Sequence, residues 1–125
     1  MNKKVVLAVR IIFGLILLVL GVTSFLNLPI PESPDAAKAF LTALDDTGYI
    51  NPVLGIVFFI VGLSFVLGRY VALGVVLLAP ITVNIILFHL FLDLKSIIPG
   101  LVVFLFNMFI AYTEWGKYKM LFMSK

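Results

Sequence analysis

The segment VALGVVLLAPITVNIILFHLFL, residues 71–92, decides the fold. It is apolar over the length of about 20 residues that a helix needs to cross the hydrocarbon core of a bilayer. It nevertheless contains Pro80, Asn84 and His89, and Asp93 comes directly after it. Polar groups are costly in hydrocarbon and usually turn toward the protein interior or a functional site. The segment therefore predicts a transmembrane helix whose polar residues serve packing or binding.

Three further apolar runs cover residues 5–28, 49–67 and 97–115. Each has the length of a membrane-spanning helix. The chain of 125 residues is 63% hydrophobic and 12% charged, which is more apolar surface than a small soluble domain can bury. The sequence thus predicts a single all-α transmembrane domain, residues 1–125, built as a four-helix bundle.

The first apolar run comes after Lys3 and Lys4, as the core of a signal peptide would. It is longer than a signal core, and no small-x-small cleavage site is found before Pro29. We therefore expect residues 5–28 to be a retained first helix.

Charge placement predicts the orientation in the membrane. Basic residues cluster at the two termini and in the second turn: Lys3, Lys4, Arg10, Arg69, Lys117, Lys119 and Lys125. The other two connections are acidic or balanced. Because positive loops stay in the cytoplasm, both termini are predicted to be cytoplasmic, which four crossings satisfy.

The long connection after the first helix has a helical pattern of its own. Ala37, Phe40, Leu41 and Leu44 recur at helical spacing. This predicts a short amphipathic helix over residues 34–46 on the outer side, lying either on the membrane surface or as a lid on the bundle.

Small and polar residues recur every three or four positions in each helix, and these stripes are predicted to face inward. They are Arg10, Gly14, Leu17, Gly21, Ser24 and Leu28; Asn51, Gly55, Phe58, Gly62, Phe65 and Arg69; Ala72, Val75, Ala79, Thr82, Ile86, His89 and Asp93; Ile97, Gly100, Phe104, Asn107, Ala111, Glu114 and Tyr118. The segments GLILLVLGVTSF (14–25) and GIVFFIVGLSF (55–65) are weakly similar to each other. This sequence echo reflects either a duplicated hairpin or chance.

Two charged residues of these stripes lie near the cytoplasmic side. Arg10 and Glu114 are each a turn or more inside their helix ends, so we predict that they form a buried ion pair. The alternative is that each side chain extends separately to the headgroups.

The outer polar residues are the predicted ligand-binding group: His89, Asp93 and Asn51, with Asn84 nearby. His89 and Asp93 share a helix face, so an imidazole held by a carboxylate could relay protons, bind a metal or hydrogen-bond a quinone-like head group; a purely structural histidine is the alternative. With one His and no Cys, we expect no metal site. No catalytic or nucleotide-binding motif and no basic nucleic-acid surface is present in the sequence.

Asn84 lies off the inward stripe, about 200° around an ideal helix from Thr82. Pro80 removes one helical hydrogen bond and can kink the helix beyond it. Asn84 could therefore bond the freed backbone, reach the bundle interior, or face a partner helix.

Several of these features together resemble the DoxX-like membrane proteins of bacteria. The resemblance rests on Arg10 with Gly14, on the Thr47-Gly48-Tyr49 turn, on Gly68-Arg69, and on the series Pro80, Asn84, His89 and Asp93. It implies a four-helix protein of the bacterial inner membrane. Some relatives are associated with quinone-linked oxidation of sulfur compounds, others with complexes that protect against oxidative stress. Relatives often carry a glutamate where this chain has Phe58. The substitution argues against any mechanism in this chain that needs an ionisable group in the middle of the bundle.

The leading hypothesis is an accessory membrane subunit that docks a redox partner and binds a quinone or another lipid near its outer face. The alternatives are a quinone-dependent oxidoreductase with its own activity, in which His89 accepts a proton, and a small transporter. Phe58, Phe65 and Phe104 suggest a filled centre, so any pocket is expected to be shallow and to open outward.

Overall fold

The computed structural model describes residues 2–26, 29–30 and 32–124 of the chain. No strand occurs among these residues, so the predicted all-helical fold is confirmed for them. The α-helices are α1 (Lys3–Thr23), α2 (Asp35–Asp46), α3 (Ile50–Leu67), α4 (Val71–Phe91), α5 (Ile97–Thr113) and α6 (Trp115–Tyr118), with 3-10 helices at Leu94–Ser96 and Lys119–Phe122. Four stretches are long and apolar enough to cross a membrane, namely α1, α3, α4 and Leu94–Thr113. This is the architecture of a multi-pass membrane protein.

The first spanning helix is shorter at its C-terminal end than the apolar run 5–28. It ends at Thr23, and Asn27 and Leu28 lie outside the described residues. The hydroxyl groups of Thr23 and Ser24 both donate to the carbonyl oxygen of Leu20, at 3.0 and 2.8 Å. Such side-chain bonds satisfy a late helix carbonyl and compete with further helical turns. Apolarity alone therefore overestimated the helix length.

The spanning helices form a closed ring in the order α1, α3, α4, α5. The contact of α1 with α3 is the most extensive, α4 packs between α3 and α5, and α1 touches α5 to close the ring. The centre is filled by side chains that are completely buried, including Phe13, Leu17, Phe65, Leu78 and Ile110. The ring of Phe13 lies 5.6 Å from that of Phe65 and 5.3 Å from that of Phe106, measured between centroids. The bundle thus has an aromatic core rather than a channel.

Glycines allow the backbones of α1 and α3 to touch. A Cβ atom placed on Gly14 would lie 2.9 Å from the carbonyl oxygen of Gly62, and one on Gly21 would lie 3.0 Å from that of Gly55. The two segments of the sequence echo therefore meet as antiparallel partners. Close approach through small residues is the usual way in which helices associate in lipid, where burial of apolar side chains supplies little drive.

The side chain of Arg10 caps the C-terminal end of α3. Its Nε donates to the carbonyl oxygen of Phe65 at 2.9 Å, and its guanidinium lies against Gly68. Gly68 ends α3 in the left-handed conformation with φ of 72°, which glycine adopts at little cost. A cation on the last carbonyls of a helix also complements the helix dipole.

Candidate functional site

A groove opens between α2, α3 and α4 at the end of the bundle that carries α2, which we call the α2 end. Its volume is about 430 Å³. The lining is Phe40, Leu41 and Leu44 of α2, Ile50 and Leu54 of α3, and Ile81, Asn84, Ile85, Phe88 and His89 of α4. Eight of these side chains are apolar, so the groove is an apolar slot with two polar side chains on one wall.

The amphipathic pattern of α2 explains how this wall forms. Ala37 is completely buried, and the ring of Phe40 lies 5.5 Å from that of Phe88, measured between centroids. The C-terminal end of α2 is fixed by Asn51, whose amide nitrogen donates to the Asp45 carboxylate at 3.0 Å. The apolar face of α2 therefore rests on α3 and α4, as the lid alternative predicts.

Asn84 is exposed on α4 and lines the groove. It makes no hydrogen bond in the described part of the chain, either with the backbone that Pro80 leaves unbonded or with a neighbouring helix. Of the three alternatives for this residue, the bundle interior and the freed backbone are excluded. Its amide is therefore available to a ligand in the groove.

His89 is half-buried, and its ring lies against Gly100 of α5. Its Nδ1 lies 3.2 Å from the backbone carbonyl oxygen of Asp93. Because a carbonyl only accepts, Nδ1 carries the hydrogen in this contact, and the Nε2 atom of the neutral ring is the acceptor. Nε2 has no partner within the described residues and is not fully buried. It can therefore accept a hydrogen bond from a ligand.

The predicted carboxylate partner of His89 is replaced by a main-chain carbonyl. α4 ends at Phe91, and the backbone of Asp93, with φ of −153° and ψ of 70°, leaves the helix and turns its carbonyl back toward the imidazole. Asp93 is buried, with 7% of the residue exposed, and its carboxylate makes no hydrogen bond to His89. A spacing of four residues placed the two on one face but could not foresee that the helix ends between them.

The structure brings together only part of the predicted ligand-binding group. Asn84 and His89 line the same groove. Asn51 is held by Asp45 outside the lining, and Asp93 acts on His89 through its backbone. In the part of the chain that the structure describes, no group of three His, Cys, Asp or Glu side chains could hold a metal ion.

The predicted ion pair between Arg10 and Glu114 does not form. Arg10 bonds to Phe65, whereas Glu114 forms an ion pair with Lys117 at 2.6 Å. The register of the helices explains this outcome, because the stacking of Phe13 on Phe106 places Arg10 about one and a half turns away from Glu114 along α5. Arg10 instead lies beside the last turn of α3.

The α2 side chains that line the groove were not among the predicted ligand-binding residues. Phe40, Leu41 and Leu44 were recognised as the apolar face of a helix, and that pattern was the available signal. Their contribution to a pocket depends on α2 folding back over α4, which no local pattern specifies.

The chain was compared with protein-family models, with curated proteins and with solved structures, and none of them matches it. The resemblance to the DoxX-like proteins therefore stays a prediction from the quoted residues.

Proposed function

We propose that this protein binds a quinone in the groove between α2, α3 and α4 and serves as an accessory subunit of a membrane redox complex. The proposal rests on the observation that Asn84 and His89 both lie on one wall of an otherwise apolar slot. Ligand sites commonly combine an apolar lining with a few polar groups that fix orientation. We further propose the bacterial inner membrane as its location, with both termini in the cytoplasm, on the basis of the charge pattern of the loops.

The two polar side chains suit the two redox states of a quinone head group. The Asn84 amide nitrogen can donate to a quinone carbonyl oxygen, and the His89 Nε2 can accept from the hydroxyl group of the reduced quinol. The surrounding Leu, Ile and Phe side chains suit a methylated ring and the first part of an isoprenoid tail. None of the described residues that line the groove is charged, which favours a neutral ligand.

Among the alternatives, binding is favoured over transport because the centre of the ring is closed. Phe13, Val61 and Phe65 are completely buried there and fill the space that a wet path between the helices would need. We assign the transfer of electrons to a protein partner, because the sequence contains no recognisable motif for an electron carrier.

The test is quinone binding to the purified protein in lipid nanodiscs, measured by separation of bound from free short-chain ubiquinone and menaquinone. Asn84→Leu is expected to weaken binding about fivefold to tenfold, which is the loss of one hydrogen bond. His89→Leu should weaken binding of the quinol more than binding of the quinone. Asn107→Leu is the control, since it removes an amide of α5 that lies outside the groove lining, and it should bind as wild type does.

Equal binding by wild type and Asn84→Leu would refute the quinone site. The accessory role is tested separately, by purification in mild detergent and mass spectrometry of the proteins that remain bound. A redox protein retained by wild type supports that role, and retention by His89→Leu as well would show that docking does not depend on the ligand.

A further inference from the structure

A second groove lies at the opposite end of the bundle, which holds the start of α1 and the end of α5 and which we call the termini end. Its volume is about 740 Å³. It is lined by Lys3, Val6, Leu7 and Arg10 of α1 and by Tyr112, Thr113 and Trp115. Nothing in the proposed quinone site uses these residues.

The register of α1 creates this groove. Arg10 contacts Phe65 and Gly68 at the end of α3, so the residues of α1 before Arg10, about two turns, extend beyond α3. The other wall of the groove is formed by the end of α5 and by Trp115, the first residue of α6. Lys3 and Arg10 are seven residues apart and therefore lie on the same face of α1.

The groove carries positive charge that no carboxylate in the described part of the chain neutralises. Glu114 lies between two lining residues in the sequence, but its carboxylate is paired with Lys117 at 2.6 Å. Lys3 makes no ion pair there. Arg10 uses its Nε on Phe65, which leaves its two terminal nitrogens without a hydrogen-bond partner among the same residues.

The uncharged lining residues suit a lipid. Tyr112 is in the last turn of the spanning helix α5, and Trp115 follows two residues after its end. Both are exposed aromatic residues, which typically lie at headgroup level in such positions. Val6 and Leu7 supply apolar surface on the other wall. The Thr113 hydroxyl donates to the carbonyl oxygen of Ile110 at 2.7 Å, so it is already used. The charged donors for an anion in this lining are Lys3 and Arg10.

From this arrangement we propose that the groove binds an anionic phospholipid. Lys3 and the terminal nitrogens of Arg10 contact the headgroup phosphate, and an acyl chain lies along Val6 and Leu7. Basic pockets between transmembrane helices bind anionic headgroups in this way, and one basic residue contributes about a fivefold change in affinity.

Trp115 is the single tryptophan of the chain and lines the groove, so its fluorescence reports on the occupant. The protein is reconstituted in phosphatidylcholine that contains a fixed fraction of either brominated phosphatidylglycerol or brominated phosphatidylcholine. Brominated acyl chains quench tryptophan on contact. We expect stronger quenching by the phosphatidylglycerol, and a preference about fivefold lower in Lys3→Gln.

Lys4→Gln is the matched control, because Lys4 is the exposed neighbour of Lys3 and does not line the groove. It removes the same charge at the same depth and should keep the wild-type preference. Equal quenching of wild type by the two brominated lipids, or equal losses in Lys3→Gln and Lys4→Gln, would overturn the proposal. A preference abolished by millimolar glycerol 3-phosphate would assign the groove to soluble phosphates and overturn the lipid assignment.

Discussion

Gly62 of α3 lies directly against the backbone of α1: a Cβ atom placed on it would be 2.8 Å from the carbonyl oxygen of Gly14. The atom in the way belongs to the main chain, so no side-chain rotation can make room. At this point the most extensive helix contact of the bundle depends on two positions that have no side chain, as it does again where Gly21 meets Gly55.

Gly62→Ala should accordingly destabilise the protein by about 1–3 kcal/mol, because α1 and α3 must separate to admit the methyl group. Thermal unfolding in detergent measures the effect. Gly116→Ala is the control, since no atom of the described residues lies within 4 Å of its added Cβ, and it should leave the midpoint unchanged or slightly raised. Equal midpoints for the two variants would contradict the close contact.

A comparison of Gly68 with Gly48 distinguishes the cost of a left-handed backbone from the cost of a steric clash. Both have positive φ, 72° and 79°, but within the described part of the chain only a Cβ at Gly68 would meet another group, the Arg10 guanidinium at 2.8 Å. Gly48→Ala should cost about 1–2 kcal/mol for the left-handed backbone alone. Gly68→Ala should cost more, and thermal unfolding of the two variants measures the difference.

In an Arg10→Ala background, the additional cost of Gly68→Ala should fall toward the value for Gly48→Ala. Additive losses in the double variant would show that Arg10 does not occupy the space beside Gly68.

Asn107 is completely buried, and neither polar atom of its amide has a partner among the described residues. Burying a polar group without a hydrogen bond costs about 1–3 kcal/mol. Asn107→Leu, which is close in volume, should therefore raise the unfolding temperature. Asn51→Leu should lower it, because that amide has a partner in Asp45. A loss of stability in Asn107→Leu would mean that a water or another group satisfies this amide.

Tyr118 joins α6 to the start of α4 through a hydrogen bond of 2.8 Å from its hydroxyl to the carbonyl oxygen of Ala72. Burial, assisted by the nearby Glu114 carboxylate, raises the pKa of Tyr118 to about 12. Its neutral form is thus the one that the folded state favours. The resulting stabilisation is complete below pH 10, the ordinary pKa of tyrosine, and is lost as the pH rises toward 12.

Ultraviolet titration of the phenols measures this effect. Of the four tyrosines, Tyr118 is the buried one and should ionise last, so Tyr118→Phe should remove the final step of the curve. The variant should also lose about 1 kcal/mol of stability at neutral pH through the missing hydrogen bond. A final step that persists in the variant would assign it to another residue.

The fold was largely accessible from sequence because lipid imposes a simple pattern. Apolar length located the spanning helices, and the spacing of small residues identified Gly14, Gly21, Gly55 and Gly62 as inward positions, all of which are buried. The buried face of α4 was predicted less accurately, since it includes Gly74 and Leu78, which lie off the predicted stripe. A helix that is apolar all round gives little indication of which apolar side points inward.

The candidate site was only partly accessible. Polar residues in an apolar helix singled out Asn84 and His89, and both line the groove, but the other walls of the groove depend on where α2 folds. The prediction of an ion pair between Arg10 and Glu114 was wrong for a related reason. Counting turns from each helix end gives an approximate depth, whereas the actual partner depends on the relative axial shift of α1, α3 and α5.

The glycine contact also determines when the bundle can be completed during synthesis. The partners of Gly14 and Gly21 belong to α3, which emerges only after the whole of α2 has been made. Until then α1 resides in the membrane with a bare strip of backbone facing lipid. Although α1 is made first, it cannot pack until α3 has been inserted. Variants that delay or misplace α3 should therefore expose α1 to membrane quality control.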